Sequence, residues 1–383
     1  MKPVFESEAA RLAAFPVAAH QIFLAHAGVT ALPACAARAM ADYAMACSEA
    51  QQEFGNFLRD IADTRALCAR LIGASAGEIA LLGPTSLGLS LFANGLDWKP
   101  DDEIVCYADD YPANVYPWTA LERLGVRARF VLADSPGRLT VDAVRTALTP
   151  RTRMVALASC HYLTGWRLDV DGVGQLLRER GVLFSLDAIQ TLGAFPVDVA
   201  AVDFLSADAH KWMLGPMAAG IVFVAKRNFA ICRPTLLGAW NVRSPDFLAQ
   251  PEIAYEDFAR RYEPGVLNAA GIYGMKASLE MLEQAGAAVP AAILAVRDDL
   301  EERLEAAGYE FLSPGRSEPA RSGILTARHP ERDPAGEFKK LAGAGVAASL
   351  RKSRDGREWL RFSPHFYNTH DEMRRVAEIL SRA

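Results

Sequence analysis

The feature that most constrains the fold is an alternation, from residue 78 onward, of short apolar runs with amphipathic segments. The apolar runs predict strands at 78–83, 102–107, 126–133, 153–160, 182–188, 202–206 and 220–226. The amphipathic segments predict helices at 85–95, 114–124, 141–148 and 170–180. This order is typical of an α/β fold in which a mostly parallel sheet is sandwiched by helices. Because no helix separates the last two strands, we expect one of them to run antiparallel.

A second pattern follows a helix predicted at 267–284 and indicates a small α+β unit. It comprises helices at 291–307 and 335–344 and strands at 309–312, 323–328, 346–351 and 358–363. A last helix follows Thr369, which forms a capping-box pattern with Glu372. Gly286 and Pro290 indicate a boundary near residue 287. We therefore expect an N-terminal arm over 1–20 packing with the small domain, a large domain over 21–287 and a small C-terminal domain over 288–383.

Charge and composition exclude several classes of partner. The 41 basic and 46 acidic residues give a net charge of −5 without a basic run, so we expect neither nucleic acid nor a membrane as partner. No apolar run approaches the roughly 18 residues that a membrane span needs. Glu6, Glu8 and Arg11 lie where a signal peptide would have its apolar core, and the six cysteines form no CxxC pair. We expect a cytoplasmic protein with reduced thiols.

Four common catalytic motifs are missing from the sequence: GxGxxG after a strand, GxxxxGK[ST], HExxH and GxSxG. His365 and His370 have no carboxylate at a ligand spacing. The sequence therefore predicts no dinucleotide fold and no metal site.

The most informative stretch covers residues 186–213 and reads LDAIQTLGAFPVDVAAVDFLSADAHKWM. Asp187 ends one predicted strand and Lys211 follows the next, and open α/β sheets bind ligands where their strands end. We therefore expect both side chains to converge on one ligand, and this pair suits pyridoxal 5′-phosphate. A lysine that burial deprotonates forms a Schiff base with the aldehyde. The carboxylate pairs with the pyridinium nitrogen, so that the ring accepts electrons.

With its flanking segments, this stretch resembles the class V aminotransferases, which are pyridoxal phosphate enzymes of fold type I. That group includes aminotransferases, cysteine desulfurases, selenocysteine lyases, kynureninases and isopenicillin N epimerase. The resemblance extends from FLAHAG at 23–28 to RFSPHFYNT at 361–369 and rests on the order and spacing of the motifs. It implies the fold type I architecture, a homodimer with shared active sites and a small amino-acid-like substrate.

The same resemblance assigns roles to individual residues. Lys211, in AHKW, resembles the Schiff-base lysine, while Asp187 and Gln190, in LDAIQ, resemble the partners of the pyridine nitrogen and the phenolic oxygen. Thr85 and Ser86, in GPTS, resemble the phosphate cup, where free amides and the positive helix end attract a dianion. The remaining assignments are Tyr111 stacked on the pyridine, His210 at the phosphate or ring, Asn268 reaching the partner subunit's cofactor, and Arg361 binding the substrate α-carboxylate. The predicted catalytic residues are Lys211, Asp187 and His210.

Three positions depart from the family pattern, since Asp208, Val266 and Tyr162 replace a serine, a threonine and an asparagine. We expect Asp208 to point away from the phosphate or to cap the turn, because a carboxylate repels a dianion. No cysteine follows Cys232, whereas the desulfurases carry a catalytic cysteine shortly before the carboxylate-binding arginine. A persulfide mechanism needs a nucleophilic thiol, so this route is disfavoured.

Plainer alternatives exist for several of these residues. They are a helix N-cap at Asp187, simple N-caps at Thr85 and Ser86, core or turn packing of Tyr111, and a surface ion pair of Arg361.

The reaction itself is less constrained by the sequence than the cofactor. We expect transamination, with a Cβ-lyase or an amino-acid epimerase as alternatives, because all three begin when Lys211 removes the α-proton. A non-catalytic protein that binds pyridoxal phosphate is a further alternative. The presence of Lys211, Asp187 and Arg361 together argues against it.

Overall fold

The computed structural model describes residues 5–53 and 55–381 of the 383-residue chain. Its strands are β1 (Ile22–Phe23), β2 (Ile79–Ala80), β3 (Glu103–Cys106), β4 (Arg127–Phe130), β5 (Thr152–Ala158), β6 (Leu183–Asp187), β7 (Phe204–Asp208), β8 (Gly220–Val224), β9 (Glu310–Phe311), β10 (Leu325–Arg328), β11 (Val346–Ala347), β12 (Ser349–Lys352) and β13 (Glu358–Phe362). Its α-helices are α1 (Glu8–Ala14), α2 (Ala34–Glu49), α3 (Phe57–Ile72), α4 (Thr85–Gly95), α5 (Tyr116–Thr119), α6 (Val141–Ala147), α7 (Val170–Glu179), α8 (Ala269–Ala285), α9 (Ala288–Ala306), α10 (Pro334–Gly343) and α11 (His370–Ser381).

The central sheet contains seven strands in the order β2-β8-β7-β6-β5-β3-β4. Neighbouring strands are parallel except at β8, which is antiparallel to both β7 and β2. Alternate residues of β3 enter different apolar clusters, Val105 on one side and Ile104 with Cys106 on the other. The sheet is thus covered on both faces, as a parallel sheet requires. The predicted α/β class and the single antiparallel strand are confirmed.

A second, smaller sheet forms the C-terminal part of the chain. Its strands are antiparallel in the order β12-β13-β10-β9, and a third apolar cluster joins them to α9 and α11. The predicted capping box begins α11, because the Thr369 N–H donates to Glu372 Oε2 at 3.0 Å and the Glu372 N–H donates to Thr369 Oγ1 at 3.2 Å.

The N-terminal segment contacts this C-terminal part. Arg11 donates hydrogen bonds to the Tyr367 carbonyl and to Glu372, and the Phe15 ring stacks on Tyr367 with centroids 3.9 Å apart. Strand β1 pairs in parallel with β11. Residues 1–4 of the predicted arm lie outside the described residues. The domain limits at 20/21 and 287/288 remain a prediction.

Two predicted elements differ from the structure. The helix predicted at 114–124 is instead a 3₁₀ turn, the four-residue α5 and a second 3₁₀ turn over Ala120–Leu124, since Pro117 lacks the N–H that a continuous helix needs. The strand predicted at 346–351 is divided into β11 and β12, which belong to different sheets. Helices α1, α2 and α3 precede the predicted pattern and were not expected.

Among the described residues, no single helix has both the length and the apolar composition to cross a membrane, whereas α8 and α9, bent by 84°, meet the criterion only as a pair.

Candidate active site

A cavity of about 500 Å³ lies where β6 and β7 end, a size typical of small-molecule sites. Asp187, the last residue of β6, and Lys211, which follows β7, both line it. The predicted site residues that line this cavity are Thr85, Ser86, Tyr111, Asp187, Gln190, His210, Lys211 and Arg361. The structure therefore brings together every predicted site residue except Asn268.

Lys211 and Asp187 have pKa values that burial moves toward each other. Burial lowers the pKa of Lys211 to about 8, an effect that the charge of Asp187 partly offsets. Burial raises the pKa of Asp187 to about 6, against a hydrogen bond from the Ile189 N–H to Oδ1 at 3.0 Å. Burial thus favours the neutral amine of Lys211 and opposes ionisation of Asp187, while the charge of each group partly offsets this effect on the other.

The structure also bears on the plainer alternatives, beginning with those for Asp187 and Tyr111. A helix N-cap at Asp187 is wrong, because turns rather than a helix follow β6. Core packing of Tyr111 is wrong as well, because this side chain is 48% exposed at the cavity, whereas packing of Tyr111 at the turn stays a prediction. The Tyr111 ring centre lies 5.4 Å from Lys211 Nζ. Stacking of Tyr111 on a bound ring remains a prediction.

The start of α4 forms part of the cavity wall next to the end of β7. Pro84 is the N-cap of this helix, so the simple N-cap interpretation of Thr85 and Ser86 is wrong. The first turn of an 11-residue helix leaves N–H groups without helical acceptors and carries partial positive charge. The start of α4 is therefore suited to bind a phosphate.

Asp208 caps the turn after β7, as expected. Its Oδ1 accepts hydrogen bonds from the His210 N–H at 3.3 Å and from His210 Nδ1 at 2.7 Å, while Oδ2 accepts from the Ala218 N–H at 3.1 Å. Its own N–H donates to Thr85 Oγ1 at 2.9 Å. Asp208 thus orients His210 and Thr85. Val266 is 74% exposed and does not line the cavity.

Gln190 is fixed at the cavity wall through both ends of its amide. Nε2 donates to the Ala27 carbonyl at 3.1 Å, and Oε1 accepts from Trp212 Nε1 at 2.9 Å. Nε2 keeps a second hydrogen for a ligand oxygen. Asn268 instead caps α8 by accepting from the Gly271 N–H, so its predicted role toward a partner subunit stays a prediction.

Arg361, on β13, is 1% exposed, so its interpretation as a surface ion pair is wrong. Nη1 donates to the Tyr162 carbonyl at 2.6 Å. Nε and Nη2 have no hydrogen-bond partner among the described residues. Burial, followed by the charge of Arg351, lowers the pKa of Arg361 to about 9. These two free nitrogens form one edge of the guanidinium, which matches a carboxylate in two parallel bonds.

Three further residues at or beside the site were not anticipated. Ser349 and Arg351, on β12, line the cavity. Asp110 is buried next to it, and burial together with the charge of Asp187 raises the pKa of Asp110 to about 7. The turn at Gly356 was the signal that could have indicated a β12–β13 hairpin, and hence a common face for Arg351 and Arg361.

No thiol among the described residues lines the cavity. Burial raises the pKa of four cysteine thiols to about 12, namely Cys68, Cys106, Cys160 and Cys232. Cys35 and Cys47 are half-buried elsewhere. Within 5–53 and 55–381, no group of three or more His, Cys, Asp or Glu side chains is arranged to hold a metal ion.

Residues 22–376 match the model of the family named aminotransferase class-V. The chain belongs to this family. A probable cysteine desulfurase of Methanothermobacter thermautotrophicus is 29% identical over 278 residues, which cover 71% of this chain and 69% of that protein. The apo structure of a cysteine desulfurase from Thermococcus onnurineus NA1 has a TM-score of 0.90 at 20% identity, over 98% of each chain. The cystine C–S lyase C-DES, in complex with cysteine persulfide, has a TM-score of 0.86 at 21% identity, over 96% of this chain and 99% of that one. The resemblance inferred from the sequence motifs is confirmed.

Proposed function

We propose that this pyridoxal phosphate enzyme is a Cβ-lyase, which removes the α-proton and a Cβ substituent from an amino acid. Cysteine desulfurases and a C–S lyase among its relatives favour cleavage at Cβ over the transamination expected from the sequence. The observation that carries the proposal is that the cavity contains a lysine and a buried arginine with two unpartnered nitrogens, while no thiol of the described residues lines it. Without a thiol to accept sulfur, direct elimination is favoured over persulfide transfer to the protein.

The cofactor is pyridoxal 5′-phosphate, and the donor set of the cavity fits it. The α4 N-terminus and His210 suit the phosphate, and Asp187, whose Oδ2 has no hydrogen bond among the described residues, suits the protonated ring nitrogen. Gln190 and Tyr111 suit the ring oxygen and the ring face. When bound, the cofactor supplies an electron sink that stabilises negative charge on the substrate's α-carbon.

The protein's own residues account for the remaining requirements of an elimination. Arg361 binds the α-carboxylate through Nε and Nη2, while the hydrogen bond of Nη1 to Tyr162 fixes the plane of the guanidinium. Lys211, with its lowered pKa, takes the α-proton at Nζ. The substituent leaves Cβ with the bonding electron pair and takes up a proton. Hydrolysis of the unsaturated product gives a keto acid and ammonia, so no oxidant is needed.

Two features of the proposal rest on the family alone: a homodimer in which Asn268 reaches the partner subunit's cofactor, and a small amino-acid substrate. The proposed cytoplasmic location rests on the sequence. Size-exclusion chromatography with light scattering tests the dimer.

The deciding experiment incubates the purified holoprotein with a panel of amino acids that carry leaving groups on Cβ, including cysteine, cystine and β-chloroalanine. We expect pyruvate and ammonia in equal amounts, and none from the Lys211→Ala variant. Formation of the pyridoxamine form without ammonia would establish transamination instead, and inversion of the α-carbon without loss of the substituent would establish an epimerase.

A further inference from the structure

Two arginines share one face of the β12–β13 hairpin at the cavity. The strands are antiparallel, with Ser349 opposite Arg361 and Arg351 opposite Trp359. Paired residues of antiparallel strands point to the same face, as do residues two positions apart on one strand. Arg351 and Arg361 are therefore diagonal neighbours, with Cα atoms roughly 7–8 Å apart. Both side chains line the cavity.

Neither arginine is neutralised by the protein. Nε and Nη2 of Arg361 lack partners, and no carboxylate or hydrogen-bond acceptor pairs with Arg351 among the described residues. Like charges on one sheet face repel each other. The charge of Arg351 accordingly contributes to the lowered pKa values of both Arg361 and Lys211. An arrangement of this kind is favourable only when anions occupy the cavity.

The charges that line the cavity leave one cation without a role in the proposed reaction. Asp187 is the carboxylate among the lining residues, and it is assigned to the ring nitrogen at the bottom of the cavity. The phosphate belongs at the start of α4, and the substrate α-carboxylate belongs at Arg361. Arg351 then remains beside Arg361 without an assigned ligand, with the hydroxyl of Ser349 on the same sheet face.

We propose that the substrate is an amino acid whose Cβ substituent ends in an anionic group, such as a carboxylate, which Arg351 binds. The inference rests on the proposed function, because it assigns the substrate class of the same site. Arg361 and Arg351 bind the two acidic ends of the substrate, and the Cβ–substituent bond lies between these ends.

S-carboxymethylcysteine and S-carbamoylmethylcysteine provide a matched pair of probes, since they differ in one charged group at nearly constant shape. In each, loss of the α-proton to Lys211 and cleavage of the Cβ–S bond release a thiol that leaves with the electron pair. We expect kcat/KM of the full-length holoprotein to favour the carboxymethyl compound by about 10-fold or more, the effect of one charge-assisted hydrogen bond.

The Arg351→Gln variant should lose this preference, so that the two compounds give nearly equal kcat/KM. Lys352→Gln is the control, because Lys352 is exposed, follows Arg351 directly and does not line the cavity. It should keep the preference. Equal rates on both probes with the wild-type protein, or a preference that survives Arg351→Gln, would overturn the inference.

A binding measurement without turnover separates the inference from the lyase proposal. Calorimetry should show that glutarate binds the wild-type holoprotein at least about 10-fold more tightly than its monoamide, and that Arg351→Gln removes the difference. If glutarate binds in this way but neither probe is cleaved, the anion site stands and the lyase proposal fails. If Arg351→Gln weakens pyridoxal phosphate binding and leaves glutarate binding unchanged, Arg351 serves the cofactor and the inference is wrong.

Discussion

Replacing Arg361 by methionine should make the cofactor-free protein more stable while abolishing substrate binding. Arg361 is a buried cation whose Nε and Nη2 have no partner among the described residues. Removing an uncompensated buried charge relieves the free-energy cost of its desolvation. Methionine is an unbranched apolar side chain that adapts to the vacated space.

The size of the effect follows from the pKa of Arg361. Burial and the charge of Arg351 lower it from an ordinary value above 12 to about 9. Three factors of ten in proton affinity correspond to about 4 kcal/mol by which folding disfavours the charged form. Loss of the hydrogen bond to the Tyr162 carbonyl costs about 2 kcal/mol. The net stabilisation by Arg361→Met is therefore about 2 kcal/mol, which raises Tm by a few degrees.

The pH dependence of stability provides a second check on the predicted stabilisation by Arg361→Met. The pKa of Arg361 is lower in the folded state than in the unfolded state, so the cost of burying its charge is fully present below about pH 9. This cost is lost as the pH rises from 9 toward the pKa of the unfolded state. In urea unfolding of the apoproteins, Arg361→Met should have a larger free energy of unfolding than wild type at neutral pH. The difference between the two should narrow above pH 9. Lys352→Met is the control and should change stability by less than about 0.5 kcal/mol, because Lys352 is exposed and does not line the cavity. A variant less stable than wild type at neutral pH would show that Nε and Nη2 are satisfied without a ligand, and the reasoning for a carboxylate site would fail.

Four further outcomes are expected. Lys211→Ala should bind pyridoxal phosphate without the absorption band of the covalently attached form, and retention of that band would refute the assignment. The rate at which the apoprotein captures pyridoxal phosphate should rise with pH through about 8, because Lys211 loses its proton, and stopped-flow absorbance measures this rate. The affinity for the cofactor, measured by equilibrium titration, should fall below pH 6, because Asp187 becomes protonated. Iodoacetamide should modify no cysteine except the half-buried Cys35 and Cys47 and should leave turnover unchanged, whereas inactivation protected by substrate would reveal a catalytic thiol. Thr369→Ala should lose about 1 kcal/mol in urea unfolding through the capping box of α11, and a loss near zero would mean that the cap is not formed in solution.

The parts of the fold that could be predicted are those where burial imposes a regular pattern. Helix α4 begins and ends at the predicted residues, 85 and 95, and the seven strands of the central sheet lie at predicted positions, because strands covered on both faces are continuous apolar runs. Helix α2 was missed because it is rich in alanine and its buried residues are few, Ala36 and Tyr43, so no apolar stripe distinguishes it.

The candidate site was predictable where local sequence fixes geometry. The convergence of Asp187 and Lys211 was predictable because one ends a strand and the other follows the next strand. The turn-capping position of Asp208 was predictable because a carboxylate repels a phosphate. Arg351 was not predictable in the same way, because its place at the cavity depends on the pairing of β12 with β13, a non-local register. Asp110 was missed because its significance lies in its burial beside Asp187, which no sequence pattern reports.

The cavity draws its reactive amine and its two guanidinium groups from separate sheets, the amine after β7 and the guanidinium groups on β12 and β13. Chemistry and selection of the substrate can therefore diverge independently in evolution. Substitutions in one short hairpin, over residues 349–362, change which substrates bind while Lys211 and Asp187 stay unaltered. A chimera that exchanges only this hairpin should therefore acquire the substrate preference of the hairpin's donor and keep the same reaction.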